Sequence, residues 1–170
     1  AAVVTRETAG DLGTDAYVLS GAGGITGHGR AFVDAIVEIR NAIPDDTALY
    51  LPGVATPANV AFLAYAGVDL VDADLATIRG TQGRYLSTDG ERGLEDISEL
   101  PCPCPACSGP VSEFDRADCE EHNRQVLAAE LARVRTRIRD GTLRDYLEGQ
   151  ARHTAWVTAG LRLLDQQASY

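Results

Sequence analysis

Lysine is absent from this chain of 170 residues, and so is methionine. The lack of Lys excludes chemistry that needs a primary amine side chain, such as Schiff-base formation, and it excludes a Walker-type phosphate loop. Long apolar runs are also missing, because no stretch approaches the ~20 residues of a membrane helix. No basic segment followed by an apolar one opens the chain. Ala1 begins an apolar stretch without an initiator Met, which we interpret as an excerpt of a longer protein.

Positive charge is scarce and comes from Arg alone: 15 basic residues oppose 25 acidic ones, and the net charge is −10. An acidic surface without Lys is typical of proteins that stay soluble in concentrated salt, where carboxylates remain hydrated and their repulsion is screened. We favour this halophilic interpretation over an Arg-rich codon bias in a mesophile. Net acidity argues against nucleic-acid binding. In high salt, however, such binding depends on shape, hydrogen bonds and local Arg patches.

The first part of the chain alternates between short apolar strands and amphipathic helices. In chain order it contains a strand at 16–19, a helix around 32–40, a strand at 48–51, a helix at 57–66 and a strand at 68–72. This alternation predicts the α/β class, with a parallel sheet or a β/α barrel. In such barrels the functional residues follow the C-terminal ends of the strands. Those ends hold Ser20, Gly21, Gly53 and Asp72.

A region of different character begins near Arg79. In chain order it contains a short strand at 83–86, a Cys- and Pro-rich loop at 101–109, a long helix at 118–139 and a final helix at about 149–166. The apolar stripe of the long helix consists of Val126, Leu127, Leu131, Val134 and Ile138. We therefore divide the chain into a β/α part, 1–100, and a Cys-rich part with C-terminal helices, 101–170.

The four cysteines lie close together in the sequence. Cys102, Cys104 and Cys107 fall within six residues, and His122 follows near the start of the long helix. Three thiolates and one imidazole complete a tetrahedral zinc shell without an open position, so we predict a structural zinc site. Cys119, three residues before His122, stays an alternative fourth ligand. Disulfides and inert buried thiols are less favoured, because the loop is too tight for good bridges and is not an apolar face.

The pattern Cys-x-Cys-x-x-Cys followed by His-Asn on a helix resembles the zinc subdomain of the tRNA-guanine transglycosylases, where it follows the last strand of a β/α barrel. Four other segments resemble the same family: Tyr17–Gly21, Leu51–Gly53 followed by Pro57, Gly67–Asp72 and Gly83–Ser87. The resemblance runs from about Val3 to Leu164. It implies the C-terminal portion of a TIM (β/α)8-type barrel with an inserted zinc-binding subdomain and C-terminal helices.

The resemblance also implies roles for single residues. Asp72 would be the nucleophile that attacks ribose C1′, displaces guanine and leaves a covalent tRNA–enzyme intermediate, which an incoming 7-deazaguanine then resolves. Ser20, Gly21 and Gly53 would bind the base. A strand-end Asp that caps the next segment would look the same in the sequence. The family's second catalytic Asp belongs to an earlier strand that is not in this chain, so the excerpt would not catalyse base exchange alone.

Three departures from the family pattern favour a paralogous branch. Ser20-Gly21 stands where Gly-Gly is usual, Val54–Thr56 replaces a more polar turn, and no Gln-Gly-Gly occurs near Val3–Thr5. We therefore favour the archaeosine synthases of haloarchaea, which add an amine donor to the nitrile of tRNA carrying 7-cyano-7-deazaguanine. Their chemistry would lie in a C-terminal region outside this chain, and Asp72 would be a relic. The alternative is a true archaeal transglycosylase acting on a D-arm guanine.

The partners implied are tRNA, a 7-deazaguanine base or modified tRNA as substrate, and a second copy of the full-length chain in a homodimer. We expect a cytoplasmic protein without a membrane partner. A non-catalytic tRNA-binding or dimerisation module stays an alternative, as does an unrelated barrel enzyme with a chance metal knuckle. Arg133, Arg137 and Arg144 are as typical of a solvated helix face as of contacts with tRNA phosphate, because Glu130 and Asp140 share their region.

Overall fold

A four-stranded parallel sheet forms the centre of the first half. In the computed structural model, which describes residues 1–167, the strands are β1 (Ala2–Val4), β2 (Ala16–Leu19), β3 (Ala48–Leu51) and β4 (Leu70–Val71). They pair in the order β1-β2-β3-β4, and each pairing is parallel. The predicted α/β class with a parallel sheet is therefore confirmed. An order without reversal is also the order of strands in a sector of a β/α barrel.

Six α-helices occur within the described residues: α1 (Gly29–Ala42), α2 (Val60–Tyr65), α3 (Asp74–Thr81), α4 (Arg116–Arg139), α5 (Leu143–Gln150) and α6 (Ala155–Leu164). α1 buries Phe32, Ile36 and Ile39 against the sheet, as their spacing predicts. α3 was not predicted, because it has no apolar stripe and buries only Ala76 and Gly80. None of these helices is long and apolar enough to cross a membrane.

A β-hairpin and a long loop connect α3 to α4. The hairpin pairs β5 (Arg84–Ser87) with β6 (Gly90–Gly93) in antiparallel register. α4 begins at Arg116, two residues before the predicted start, because Asp115 and Asp118 form a capping box. The Asp115 carboxylate accepts hydrogen bonds from the backbone N of residues 117 and 118 at 2.8 and 3.0 Å. These bonds satisfy amide groups that a helix start otherwise leaves unpaired.

The final helix is broken, contrary to the continuous helix predicted at about 149–166. α5 ends at Gln150, a 3-10 turn covers Ala151–His153, and Thr154 is extended (φ −133°, ψ 104°) before α6 begins. The break lets the two helices pack in different directions, α5 on α2 and α6 on α1. At the second contact Trp156 stacks edge-on against Phe32 and Phe62, with centroids 5.6 and 5.4 Å away. The C-terminal helices thus share one hydrophobic core with the sheet.

Candidate functional site

Four metal-ligating side chains converge between the 101–109 loop and α4. Cys102, Cys104, Cys107 and His122 each offer one donor atom, and these atoms all lie within 4.8 Å of one another. His122 Nδ1 is 3.4 Å from Cys104 Sγ and 3.3 Å from Cys107 Sγ. A 3-10 turn at Pro105–Cys107 folds the loop back toward the helix. This donor set could hold a metal ion, and within residues 1–167 Cys119 is not a member of the group.

The backbone of Leu86 in β5 fixes the orientation of the His122 ring. His122 Nε2 lies 2.9 Å from the carbonyl oxygen of Leu86, so Nε2 carries the proton and Nδ1 is free to accept or ligate. The next residue, Asn123, accepts a hydrogen bond from the Leu86 N–H through Oδ1 at 2.9 Å. Two consecutive α4 side chains therefore bind both backbone groups of one hairpin residue. A metal ligand with a hydrogen bond at its second nitrogen is the usual arrangement in proteins.

Aromatic side chains enclose the cluster on one side. Tyr85 stacks on the His122 ring with centroids 3.8 Å apart, and its hydroxyl is 3.7 Å from Cys107 Sγ. Phe114 meets Tyr85 edge-on at 6.0 Å. The sequence indicated Tyr85 only as part of a strand. Tyr85 and the following Leu86 are both buried, so β5 has no alternation that could have singled out Tyr85.

Burial sets the protonation of the cluster. It raises the pKa of Cys107 to about 12 and also raises that of Cys102. Burial lowers the pKa of His122, against the opposing effect of the Leu86 hydrogen bond, and so favours the neutral imidazole that ligates metals. A cation among the sulfurs reverses the thiol preference, because thiolate is the ligand form. Burial alone raises the pKa of Cys119 to about 11, which suits an inert core thiol.

Asp72 lies at the C-terminal edge of the sheet, where strand ends hold functional groups in β/α folds. Its Oδ2 accepts hydrogen bonds from the Tyr50 hydroxyl at 2.7 Å and from the Gly53 N–H at 2.9 Å, and its Oδ1 accepts one from the Asp74 N–H at 3.0 Å. Gly53 has φ +65°, a conformation that glycine adopts without strain. The Asp72 hydrogen bond is the main cause of a raised pKa at Tyr50.

Two of the predicted base-binding positions lie apart from Asp72. Ser20 and Gly21 follow β2 and are exposed, at the same edge of the sheet but two strands away from β4. Tyr50 belongs to no motif that would single it out in the sequence. In the register of β3 and β4, Tyr50 is opposite Leu70. A tyrosine at that position can reach the residue just after β4, and this neighbourhood of parallel strands was the signal available in the sequence.

These features define a class: an α/β protein that has a parallel sheet with polar groups at its strand ends and, beside the following hairpin, a Cys3His cluster. Residues 4–155 match the family described as queuine tRNA-ribosyltransferase. The chain belongs to this family, the tRNA-guanine transglycosylases, as its resemblance indicated.

Named relatives fall into two groups. The chain is 62% identical to the archaeosine synthase of Haloferax volcanii over 170 residues, which is 100% of this chain and 29% of that protein. It is 42% identical to the archaeosine synthase subunit alpha of Methanosarcina acetivorans, over 92% of this chain and 26% of that protein. It is 33% identical to the tRNA-guanine(15) transglycosylase of Haloferax volcanii, over 78% of this chain and 27% of that protein. The chain thus spans less than a third of the length of these relatives.

Proposed function

We propose that this chain is part of a tRNA-modifying enzyme of the archaeosine synthase type. The observation that carries the proposal is a comparison within one organism: identity is 62% to the Haloferax archaeosine synthase but 33% to the Haloferax transglycosylase. A chain of the transglycosylase branch would have the opposite ranking. In this proposal the substrate is archaeal tRNA carrying 7-cyano-7-deazaguanine in the D-arm. The enzyme adds the N–H of an amine donor across the nitrile, which gives an amidine without loss of atoms. With ammonia as the donor, the product is the unsubstituted amidine of archaeosine.

In the same proposal, residues 1–100 are the last units of a (β/α)8 barrel. The sequential parallel order of β1 to β4 supports this assignment. The barrel units hold the modified nucleotide near Ser20, Gly21 and Gly53, and Asp72 serves as a strand-end cap. The three hydrogen bonds to its carboxylate suit such a cap. A cytoplasmic location and a homodimer of the full-length chain complete the proposal.

The test uses the full-length protein and two assays. Incubation with 7-cyano-7-deazaguanine tRNA and an amine donor should yield the amidine adduct of that donor, which is archaeosine when the donor is ammonia, detected by mass spectrometry of digested nucleosides. Incubation of unmodified tRNA with radiolabelled guanine should show no exchange. Asp72→Asn should leave archaeosine formation within about twofold of wild type, since Asn can still accept the hydrogen bonds of Tyr50 and Gly53.

A true transglycosylase is the second candidate, and the position of Asp72 favours it. Its carboxylate is held in one orientation by Tyr50 and Gly53 at the functional edge of the sheet, as a positioned nucleophile would be. Guanine exchange by the wild type that disappears in Asp72→Asn, without archaeosine formation, would establish this candidate and overturn the first.

We further propose that the Cys3His cluster holds structural Zn²⁺. The donor set fits zinc because three sulfurs and one imidazole nitrogen satisfy its tetrahedral preference and leave no position for a substrate. The ion would join the 101–109 loop to α4 through His122. The hydrogen bond of His122 to Leu86 would keep the ligating nitrogen in place.

Metal analysis of three variants tests the ligand set. Wild type and Cys119→Ala should each contain about one zinc per chain, whereas Cys104→Ser should contain almost none. Cys119→Ala is the matched control, because it removes a neighbouring buried thiol that lies outside the cluster. Loss of zinc in Cys119→Ala combined with its retention in His122→Ala would show that Cys119, and not His122, is the fourth ligand.

A further inference from the structure

The end of α4 concentrates positive charge in a chain that is otherwise acidic. Residues 131–139 contain four arginines and no acidic residue. Residues 135–141 are all exposed, because the helix extends beyond the core that covers its earlier turns. This position explains why Ile138, the last residue of the predicted apolar stripe, is 53% exposed.

Three arginines whose positions in the sequence are compatible with tRNA phosphate contacts have partners within the protein instead: Arg133, Arg137 and Arg144. Arg133 forms an ion pair with the buried Glu130. The Arg137 guanidinium lies 5.4 Å from the centroid of the Tyr146 ring. Arg144 pairs with two carboxylates and also bonds to the hydroxyl of a tyrosine on α2. These three side chains therefore stabilise the packing of the C-terminal helices.

Arg135 and Arg139 have no such role. They are four residues apart, so their side chains lie one turn apart on one helix face. In the described part of the chain, neither guanidinium group has a carboxylate oxygen within 4.0 Å, which is the limit for an ion pair. Within residues 1–167, the Arg139 side chain donates hydrogen bonds to the Arg135 carbonyl oxygen at 3.3 Å and to Thr136 Oγ1 at 3.4 Å, and to no carboxylate. Ile138 lies beside them, and the three residues line one open depression, which we call the arginine face.

A purely structural role accounts for only part of this pattern. Cations in the last turn of a helix interact favourably with its dipole and its free carbonyl groups. Arg139 meets this description, but Arg135 is a full turn earlier and its guanidinium makes no hydrogen bond within residues 1–167. Elsewhere in this acidic chain, several arginines are paired with carboxylates. Unpaired positive charge on an exposed helix end is the charge pattern that complements a polyanion.

We propose that the arginine face binds the phosphate backbone of tRNA, an inference that rests on the proposed function as a tRNA-modifying enzyme. A guanidinium group presents a planar fork of donors that matches phosphate oxygens, and two such groups one turn apart engage neighbouring phosphates. Ile138 contributes apolar contact with ribose. Such contacts set the position of the RNA and carry no base sequence information. They also provide local attraction that overrides the net charge of −10 at this end of the molecule.

The experiment measures tRNA affinity of the full-length protein between 0.1 and 0.5 M KCl. Arg135→Gln/Arg139→Gln should weaken binding roughly tenfold at 0.2 M KCl and reduce the slope of log K against log salt by about 2. Arg135→Lys/Arg139→Lys keeps the charge and should restore most of the slope. Arg152→Gln/Arg162→Gln is the matched control, since both side chains are exposed and neither has an ion-pair partner in the described chain. It should bind tRNA like the wild type.

Two results would contradict tRNA binding by the arginine face. One is a Gln double variant with the tRNA affinity and salt slope of the wild type, and the other is an equal loss of tRNA affinity in the control variant. A change in oligomeric mass of the Gln double variant with unchanged tRNA affinity would instead identify a protein interface. Thermal unfolding of each variant detects any loss of the helix end. Failure of the proposed function is seen separately, because it would be a lack of archaeosine formation by the wild type. If the wild type forms archaeosine and the Gln double variant binds tRNA unchanged, only the arginine face is wrong.

Discussion

Asn123 joins three structural elements beside the Cys3His cluster. Its side chain is fully buried, and besides accepting from Leu86 N–H it donates to the carbonyl oxygens of Ala76 at 3.1 Å and Arg84 at 2.9 Å. One amide group thus joins α4 to α3 and to β5. Buried backbone groups that lose a partner each cost about 1–3 kcal/mol.

We predict that Asn123→Ala lowers the free energy of unfolding by about 3 kcal/mol, because it leaves buried backbone groups unpaired. Urea denaturation followed by circular dichroism measures the change. Asn41→Ala, at an exposed position of α1, is the control and should stay within about 0.5 kcal/mol of wild type. A similar stability for both variants would show that water replaces the lost partners of Asn123.

At the residue scale, the sequence predicted the side chains that offer metal-ligating atoms better than it predicted the residues that hold those side chains in place. The convergence of Cys102, Cys104, Cys107 and His122 was predictable, because their residue types and spacing are those of a zinc ligand set. The partners Tyr85 and Asn123 were not, since a strand tyrosine or a helix asparagine is compatible with many environments. Their roles depend on where α4 crosses the hairpin, which no local pattern encodes.

Among the elements, α3 and α4 pack most closely against each other. A Cβ placed on Gly80 of α3 would lie 2.3 Å from the Cα of Glu120 and 2.7 Å from its backbone N. Backbone atoms cannot move aside as a flexible side chain can. The absence of a side chain at Gly80 therefore lets α3 approach α4 closely enough for Asn123 to reach the Ala76 carbonyl oxygen.

We predict that Gly80→Ala destabilises the protein by at least about 2 kcal/mol, because the added methyl group separates the two helices. Gly149→Ala provides the control within α5, where an added Cβ meets nothing within 4 Å. It should raise stability by about 0.5–1 kcal/mol through helix propensity. Calorimetric midpoints for both variants test the contrast. Equal stabilisation by the two substitutions would contradict close packing at Gly80.

Elements with clear periodicity were predictable, and those held by tertiary contacts were not. The strands at 16–19 and 48–51 agree with the structure, as does the end of α4 at Arg139. α3 and β6 were missed because their sequences lack the period of a helix or strand. The break between α5 and α6 was missed because the helical pattern continues across Thr154. The direction of packing, which differs for the two helices, decides that break.

For the whole molecule, the excess of carboxylates predicts a dependence on salt. A net charge of −10 without any Lys produces self-repulsion in the folded state, and added salt screens this repulsion. We predict that the thermal midpoint rises by roughly 4–8 °C between 0.1 and 2 M KCl, as a gain of about 2 kcal/mol in a domain of this size would produce.

Neutralising exposed carboxylates distinguishes the screening of charge repulsion from other effects of salt on stability. Asp45→Asn/Asp46→Asn/Glu99→Gln removes three exposed carboxylates that form no ion pair within the described residues. If repulsion is the cause, this variant should be more stable at 0.1 M KCl and should gain less from added salt. An identical salt response in variant and wild type would point to salt acting on apolar burial instead.

Both backbone groups of Leu86 are hydrogen-bonded by side chains of α4, so the Leu86 amide can report on the state of the Cys3His cluster. Its carbonyl oxygen is bound by the imidazole that faces the three sulfurs, and its amide proton is bound by the neighbouring Asn123. We therefore expect an event that loosens the thiol cluster to affect, through the consecutive residues His122 and Asn123, a single amide in the hairpin. Hydrogen–deuterium exchange at Leu86 should accelerate when a chelator is added, while amides of β3 exchange as before. If the cluster holds the proposed zinc, metal occupancy could then be followed through the lifetime of one proton.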